Sequence, residues 1–228
     1  RLPLAMIAGH PAKDGGPEKA VAWNDEDSVT MAVTAGVSCL AGLDRALVDG
    51  VLFASTTYAF GEKQASALIA RALDLRREVR TADYSGSLRA GTSALRAAFD
   101  AVTAGSARNV LVIASDSRMA APGSALETNF GDGAAAFLVS DTGAVATLEG
   151  SHAVADEIVD VWRSEGDPFV HSWEDRFVVQ EGYIPRISEA VGGLLEATGS
   201  KLEDFTKVAL YAPDARSHRT AARRIGAS

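Results

Sequence analysis

A turn rich in hydroxyl groups is the first place where this sequence could do chemistry. Ser85 and Ser87 lie in the run Asp83–Thr92, between a predicted strand and a predicted helix. A serine hydroxyl becomes a nucleophile only when a base lies within hydrogen-bonding distance of it. We therefore interpret these serines as turn residues that satisfy backbone donors, and keep a nucleophilic Ser87 as the alternative.

The single cysteine and the scattered histidines restrict the other kinds of site. Cys39 lies inside a predicted amphipathic helix. One cysteine rules out a disulfide within the chain and a cysteine-based zinc site. We expect Cys39 to be a small buried side chain, with a reactive thiol as the alternative. His152, His171 and His218 lack metal-ligand spacing, so we assign them to loops or to the surface and predict no metal.

The composition excludes several classes of partner. The chain has 228 residues and a net charge of -8, with 47% hydrophobic and 23% charged residues. These values are typical of a globular protein with its own core. The acidic balance argues against nucleic acid, because phosphate neutralisation needs clustered Lys and Arg. No apolar run approaches the roughly 20 residues that span a bilayer, and we see no secretory signal. We expect a cytoplasmic protein that binds neither nucleic acid nor membrane.

Predicted strands alternate with predicted helices along the chain. The predicted elements are, in order, a helix over 29–48 preceded by a capping box at Asn24 and Asp27, a strand at 50–55, a helix at 64–74, a strand at 79–83, a helix at 91–104 closed by Gly105, a strand at 109–115, a hairpin of 137–139 with 144–148, a helix at 184–198, a strand at 208–211 and a helix at 216–225. Such alternation predicts an α/β protein with a mostly parallel sheet covered on both faces. The irregular stretch 157–181 is long enough to suggest a functional loop.

Three segments carry a resemblance to a known family. They read DYSGSLRAGT at 83–92, APGSALE followed by FGDGAAA between 121 and 136, and LYAPD at 210–214. Together, and in this order, they resemble hydroxymethylglutaryl-CoA synthases of the archaeal type and ketoacyl synthase III enzymes, which are members of the thiolase superfamily. The order and spacing agree over nearly the whole chain, including Asp160–Arg163.

The resemblance implies a layered αβαβα thiolase fold with mostly parallel five-stranded sheets. It makes residues 1–150 the N-terminal thiolase-like half and residues 151–228 the start of the C-terminal half. Family members are longer, so we expect an opening strand and most of the second half to be missing from this sequence.

The positions to which the resemblance assigns the chemistry hold other residues. In the family a cysteine thiolate at the strand-to-helix turn carries the acyl group, and the helix N-terminus lowers its pKa. That position, four residues before Thr92, is Leu88. The general-base glutamate falls on Thr56 or Thr57, and the histidine falls on Tyr211. These replacements make the normal cysteine-dependent condensation doubtful.

Three functions remain open at this point. The leading hypothesis is an acyl-CoA-binding, hydroxymethylglutaryl-CoA synthase-like protein of the acyltransferase or condensing class. The second is a non-catalytic scaffold, which predicts a pocket filled by side chains and an apolar patch for a partner. The third is lyase-type chemistry on an acyl-CoA, with Tyr211, Asp214 and Tyr84 as candidate acid–base groups. It predicts that Tyr211 and Asp214 face the pocket floor near Leu88.

Several candidate binding residues survive. Arg89 could meet a CoA phosphate or an acyl carboxylate, with a surface ion pair as the alternative. Lys63 keeps a position that is basic in similar sequences. Gly131 and Gly133 would let backbones approach closely, which suits a pantetheine tunnel and tight sheet packing equally well. The expected ligand is a coenzyme A thioester, and no covalently bound cofactor is expected.

The resemblance also implies protein partners. Thiolase-fold proteins bury a large self-complementary interface, which implies a homodimer. We expect that interface near the Asn109 strand and the Gly86 turn. A zinc/OB-fold protein and a thiolase are further possible partners, by analogy with the archaeal-type synthases.

Overall fold

A computed structural model of the protein describes residues 1–227. The chain divides into two compact units, Arg1–Val145 and a second that begins at Ala146. The first contains β1 (Leu2–Pro3), α1 (Leu4–Ile7), β2 (Glu18–Lys19), α2 (Ser28–Cys39), a 3-10 turn (Arg45–Leu47), β3 (Gly50–Ala54), α3 (Ala65–Ala72), β4 (Arg80–Tyr84), α4 (Ala90–Thr103), β5 (Asn109–Asp116), α5 (Ala125–Asn129) and β6 (Gly133–Ser140). That these units correspond to two thiolase-like halves stays a prediction.

The main sheet of the first unit has the strand order β4-β3-β5-β6. The strands β4, β3 and β5 are parallel, and β6 runs antiparallel to β5 over all eight of its residues. The predicted parallel-rich α/β sheet is therefore confirmed. It has four strands in the described residues, where the resemblance implied five.

Side chains alternate between the two faces of this sheet. Val51, Phe53, Leu111 and Ile113 pack with α2 and α3 in one buried cluster. The residues between them on β5, such as Val112, pack with α4 in a second cluster on the opposite face. Successive side chains of a strand point to opposite faces, so each strand packs one set of apolar side chains on each side. Helices cover both faces, which gives an αβα sandwich.

The first long helix begins and ends at different residues from those predicted. Asp27 is itself the N-cap: its Oδ1 accepts hydrogen bonds from Val29 N at 2.9 Å and Thr30 N at 2.7 Å. The capping box therefore pairs Asp27 with Thr30, and the predicted pairing of Asn24 with Asp27 is wrong. The helix ends at Cys39 instead of residue 48, because Gly42 turns the chain at φ +77°.

The predicted hairpin after the last long strand is wrong. Residues 144–148 form no strand, and Val145 is fully exposed. The segment that was expected to pair with them is instead part of β6, whose partner is β5. Eight residue pairs with β5 satisfy the backbone of β6 more completely than a three-residue hairpin would. The predicted C-terminal glycine of α4 is confirmed, since Gly105 follows that helix with φ +69°.

The second unit is mainly helical. It contains β7 (Val161–Trp162), β8 (His171–Ser172), α6 (Asp175–Phe177), a π-helical turn (Val178–Tyr183), α7 (Ile184–Thr198), a 3-10 turn (Leu202–Asp204) and α8 (Ala215–Ile225). The bounds of α7 are those predicted, and its final turn is followed by Gly199 in the left-handed conformation. The stretch predicted to be irregular, 157–181, contains the short β7–β8 ribbon and the start of a continuous helical segment.

The strand predicted at 208–211 does not form. Residues 208–211 pair with no strand in the described part of the chain, and Tyr211 is 78% exposed. An apolar run becomes a strand only where a neighbouring strand can take up its backbone hydrogen bonds. Among the described residues, no helix has the length and apolar character that crossing a membrane requires.

Gly36 provides a test of the packing between α2 and the sheet. A Cβ at Gly36 would lie 2.8 Å from Leu73 Cδ1 and 3.2 Å from Ile113 Cδ1, and both leucine and isoleucine are fully buried. Overpacking of this kind costs about 1–3 kcal/mol, whereas alanine gains about 1 kcal/mol of helix propensity over glycine. We expect Gly36→Ala to lower the free energy of unfolding, measured by urea denaturation.

Gly192→Ala in α7 is the matched control. A Cβ added at Gly192 would meet no atom of the described residues within 4 Å, apart from the backbone of its own helix. We expect this variant to be neutral or stabilised by up to about 1 kcal/mol, from helix propensity alone. Stabilisation by Gly36→Ala of the same size as by Gly192→Ala would contradict the close packing at Gly36.

Candidate functional site

Three turns meet at one edge of the main sheet. Because β4, β3 and β5 are parallel, their carboxyl ends lie on the same side. Ser55–Thr57 follow β3, the Ser85–Leu88 turn follows β4, and Asp116 is the last residue of β5. The first turn begins beside the end of β4, since Ser55 N donates a hydrogen bond to the carbonyl of Tyr84, the last residue of that strand, at 3.0 Å. The carboxyl edge is where open α/β sheets bind their ligands.

The turn that carries Leu88 leads straight into α4. Gly86 adopts φ +74°, a left-handed conformation that favours glycine. Ser87 then closes the turn: its Oγ accepts a hydrogen bond from Arg89 N at 3.1 Å, and its carbonyl accepts one from Ala90 N at 3.0 Å. The interpretation of Ser87 as a turn residue is therefore supported. Leu88, which the resemblance puts at the cysteine position, is 52% exposed and immediately precedes the helix N-cap.

The start of α4 lies within van der Waals reach of the end of β5. A Cβ at Gly91, in the first turn of α4, would lie 3.4 Å from Ala114 Cβ. Ala114 is two residues before Asp116 on the same face of β5. The start of α4 and the carboxyl end of β5 therefore lie side by side, with the backbone N–H groups of the helix N-terminus at the site.

Where the resemblance would put the glutamate, a hydroxyl group binds a neighbouring carboxylate. Thr56 donates to Asp116 Oδ1 through both its backbone N, at 2.7 Å, and its Oγ1, at 3.0 Å. Thr57, the alternative glutamate position, does the same from its N at 2.9 Å and its Oγ1 at 2.8 Å. Sequence reasoning missed Asp116. The available signal was a carboxylate at the carboxyl end of the most apolar strand.

A second carboxylate, Asp83, organises the loop between β3 and α3. It accepts hydrogen bonds from Ala65 N and Ser66 N, each at 2.8 Å, and so caps α3. The Tyr58 hydroxyl also donates to Asp83. Burial, reinforced by this bond to a carboxylate, raises the pKa of Tyr58 to about 12. Tyr58 is therefore a neutral hydrogen-bond donor at physiological pH, and sequence reasoning missed it as well.

The predicted binding residues of the first unit all lie at or near this edge. Arg89 is exposed and forms the N-cap of α4. Lys63 lies in the loop before α3, with its Nζ 4.6 Å from the centre of the Phe60 ring. Gly133 is the first residue of β6 and pairs with Asp116.

The two glycines do not make the close backbone contacts that were expected. A Cβ at Gly131 would lie 3.6 Å from the Ala20 carbonyl oxygen, an ordinary contact distance. A Cβ at Gly133 would have no described atom within 4 Å. The close approach in this region is instead made by neighbours, since Asp132 N donates to the Ala20 carbonyl at 3.1 Å. Binding at these glycines stays a prediction.

Tyr211 and Asp214 lie in the second unit, and Asp214 is used to cap α8. Its carboxylate accepts hydrogen bonds from Ser217 Oγ at 2.6 Å, Arg216 N at 2.7 Å and Ser217 N at 2.9 Å. The bonds from Ser217, more than any other cause, lower the pKa of Asp214. The Tyr211 carbonyl accepts a hydrogen bond from the Tyr183 hydroxyl, while its own ring is exposed. That these side chains act near Leu88 stays a prediction.

The cysteine and the histidines occupy unrelated places. Cys39 is half-buried beside an open groove of about 640 Å³ between α2 and β6, and burial raises the pKa of its thiol. His171 stacks on Trp162 with ring centres 5.7 Å apart. Within residues 1–227, no group of three or more His, Cys, Asp or Glu side chains is arranged to hold a metal ion.

Comparison with known proteins agrees with this geometry. Residues 82–156 match the family of 3-oxoacyl-[acyl-carrier-protein (ACP)] synthase III. Hydroxymethylglutaryl-CoA synthase of Aeropyrum pernix is 32% identical over 212 residues, which cover 92% of this chain and 58% of the relative. The same enzyme of Methanocaldococcus jannaschii is 29% identical over 211 residues, covering 92% of this chain and 61% of the relative. The chain thus spans about three fifths of the length of the curated relatives it matches.

Solved structures show the same fold. A hydroxymethylglutaryl-CoA synthase complexed with CoA superposes with a TM-score of 0.81 at 20% identity, covering 90% of this chain and 53% of that one. The 3-oxoacyl-ACP synthase III of Thermus thermophilus gives a TM-score of 0.82 at 19% identity, covering 99% and 77%.

The family match, the relatives and the shared fold together support a protein similar to members of the thiolase superfamily. Within that superfamily the chain is hydroxymethylglutaryl-CoA synthase-like and ketoacyl synthase III-like, as the three sequence segments predicted.

The cap at α8 predicts a pH-dependent contribution to stability. The folded-state pKa of Asp214 lies below its ordinary value, so its contribution is present above about pH 4 and is lost as the pH falls through the folded pKa. We expect Asp214→Ala to lower the free energy of unfolding by about 1 kcal/mol at pH 7. The deficit should shrink at pH 3, in urea denaturation followed by circular dichroism.

Glu203→Ala, which alters an exposed carboxylate of the same unit, is the control. An equal deficit at both pH values would contradict this role.

Proposed function

We propose that this protein binds acyl-CoA as a hydroxymethylglutaryl-CoA synthase-like member of the acyltransferase or condensing class, without forming the family's cysteine-bound acyl intermediate. The observation that carries the proposal is the place of Leu88, in the tight turn before α4 at the carboxyl edge. Relatives over this stretch are named as hydroxymethylglutaryl-CoA synthases. The proposal concerns the part of the fold that this chain contains.

Two features support an acyl-CoA ligand. Structures similar to this chain are described as complexed with CoA and with 3-hydroxy-3-methylglutaryl coenzyme A. Arg89 and Lys63 supply cations at the same edge as the Leu88 turn, where they could meet phosphate groups of CoA through charge-assisted hydrogen bonds. The half-exposed Leu88 side chain would offer apolar contact to an acyl or pantetheine chain.

The replacements remove the chemistry of condensation. An acyl-enzyme forms when a thiolate attacks the thioester carbonyl and the thiolate of CoA leaves. Leu88 has no lone pair with which to attack. The Thr56 hydroxyl donates its proton to Asp116 and is far too weak a base to take one from an acyl α-carbon. Ser87 closes the turn before α4, which favours its structural interpretation over a nucleophilic one.

Homodimerisation is proposed through the free edge of β4. The Asn109 strand, β5, lies between β3 and β6, so it cannot be the sheet edge that meets a second subunit. Within the described sheet β4 has a partner on one side only, and the Gly86 turn follows it directly. A strand edge of this kind can pair with its own copy across a two-fold axis.

The two alternative functions have unequal support. A scaffold that holds a partner, such as a thiolase or a zinc/OB-fold protein, needs no nucleophile, which agrees with Leu88 at the cysteine position. The lyase hypothesis gives Asp214 a proton-transfer role. The three hydrogen bonds that Asp214 accepts at the N-terminus of α8 favour a structural role instead.

Calorimetric titration with acetyl-CoA and acetoacetyl-CoA tests the ligand. We expect micromolar binding, weakened about tenfold in Arg89→Ala by the loss of a charge-assisted contact. The control is Arg96→Ala on the same helix, whose guanidinium pairs with Asp100 at 2.9 Å. That variant should bind like the wild type. No binding of either ligand to the wild type would refute the acyl-CoA proposal and leave the scaffold function.

Restoring the cysteine tests the position of the nucleophile. We expect the wild type to remain unmodified after incubation with acetyl-CoA, and Leu88→Cys to gain an acetyl group, because the N-terminus of α4 stabilises a thiolate. Intact-mass measurement followed by peptide mapping separates residue 88 from the native Cys39 and from Ser87. Acetylation of wild-type Ser87 would favour the serine alternative. A folded Leu88→Cys variant that binds acetyl-CoA but stays unmodified would mean that Leu88 is not at the nucleophile position.

A further inference from the structure

One carboxylate oxygen holds the whole turn that follows β3. Besides the two bonds each from Thr56 and Thr57, Asp116 Oδ1 accepts a hydrogen bond from Ser55 Oγ at 3.0 Å. Two of the five donors are backbone amides and three are hydroxyls. Hydrogen bonds to an ionised carboxylate are stronger than those between neutral groups, so this turn is held by its contact with the neighbouring strand.

The carboxylate also fixes the direction of the hydroxyl groups. A hydroxyl has one proton, and donation of that proton sets the rotation of the group. Thr56 Oγ1 and Thr57 Oγ1 both direct their protons to Asp116. The residue at the family's glutamate position is therefore oriented by a side chain from a different strand.

The turn is anchored from two other directions. Thr57 Oγ1 accepts a hydrogen bond from Ser117 N at 2.9 Å, and the Thr57 carbonyl accepts one from Ser28 Oγ at 2.7 Å. These bonds connect the turn to the residue after β5 and to the first residue of α2. Asp116 stands at the centre of this arrangement, two residues from the point where Gly91 packs on Ala114.

We propose that Asp116 is a positioning residue for the acyl end of the site. Its carboxylate fixes the Ser55–Thr57 turn next to the Leu88 turn, so that the two form a wall of defined shape against the acyl group. All five donors belong to Ser55–Thr57 and address Oδ1 of Asp116, so the residue acts on the site through the turn that it holds. This inference rests on the proposed acyl-CoA binding, and it concerns the acyl group, not the nucleotide end of CoA.

The test combines exchange and binding measurements on Asp116→Asn. Asparagine keeps the size of the side chain but removes the charge that the five donors share. We expect amide hydrogen exchange at Thr56 and Thr57 to accelerate about tenfold, with exchange at the buried Val112 unchanged. We expect affinity for acetoacetyl-CoA to fall about tenfold and affinity for unacylated CoA to change by less than about twofold. A purely structural loss would weaken both ligands alike.

The matched control is Asp141→Asn. Asp141 directly follows β6 and pairs with Arg108 at 3.0 Å. This pair lies at the opposite end of the sheet strands from the carboxyl ends that form the site. It should leave exchange at Thr56 and both affinities unchanged. If Asp116→Asn does not fold, Thr57→Val tests the same turn, because it removes the hydroxyl bonds to Asp116 and Ser117 while the carboxylate and the backbone donor of residue 57 remain.

The outcomes separate this inference from the proposed function. Unchanged exchange at Thr56 and Thr57 in the folded variant would overturn the positioning role. Faster exchange with unchanged affinity for acetoacetyl-CoA would also overturn it, because the turn would then be irrelevant to the ligand. Faster exchange in the variant, together with a wild type that binds no acyl-CoA, would confirm that Asp116 holds the turn and reject the proposed function.

Discussion

Parallel pairing of β4, β3 and β5 is the constraint on which the rest of the first unit depends. Parallel strands end on the same side, so three turns that are far apart in sequence meet at one edge. The pairing is possible because the strands are apolar on both faces and helices cover each face. Thr56, Leu88 and Asp116 take their places from that alignment, since each lies at or just after the carboxyl end of one of these strands.

Local backbone features shape the turn around Leu88. A left-handed glycine, a serine that closes the turn and a helix N-terminus surround this residue. These features shape the backbone, and they do not require a cysteine. After β3, a threonine and a neighbouring aspartate form a network in which the carboxylate is an acceptor from protein donors. The shape of this region is therefore set by backbone geometry and packing, whereas any reaction there would depend on the side chains that it presents.

Capping carboxylates recur through the chain and account for several of its acidic residues. Asp27 caps α2, Asp83 caps α3 and Asp214 caps α8, each through backbone N–H groups that a helix leaves without partners. This use matters for function at Asp214, since the hydrogen bonds from Ser217 lower the pKa of that carboxyl and make it a poorer proton donor. Asp214 shows how a residue can match a family's active-site segment in sequence and still have a local structural role.

The sequence by itself determined the parts of this protein that depend on local patterns. The buried strands β3 and β5, the helix α7 and the glycine after α4 all follow from residue type and spacing within a few positions. Only the tertiary structure decided which strand would pair with β6, that residues 208–211 would not form a strand, and that Asp116 would hold the Thr56 turn. Those outcomes depend on hydrogen-bond partners far away in the chain: Thr56 and Asp116 are 60 residues apart. A single sequence does not reveal such partners, because backbone and carboxylate groups bind whichever donors the fold brings to them.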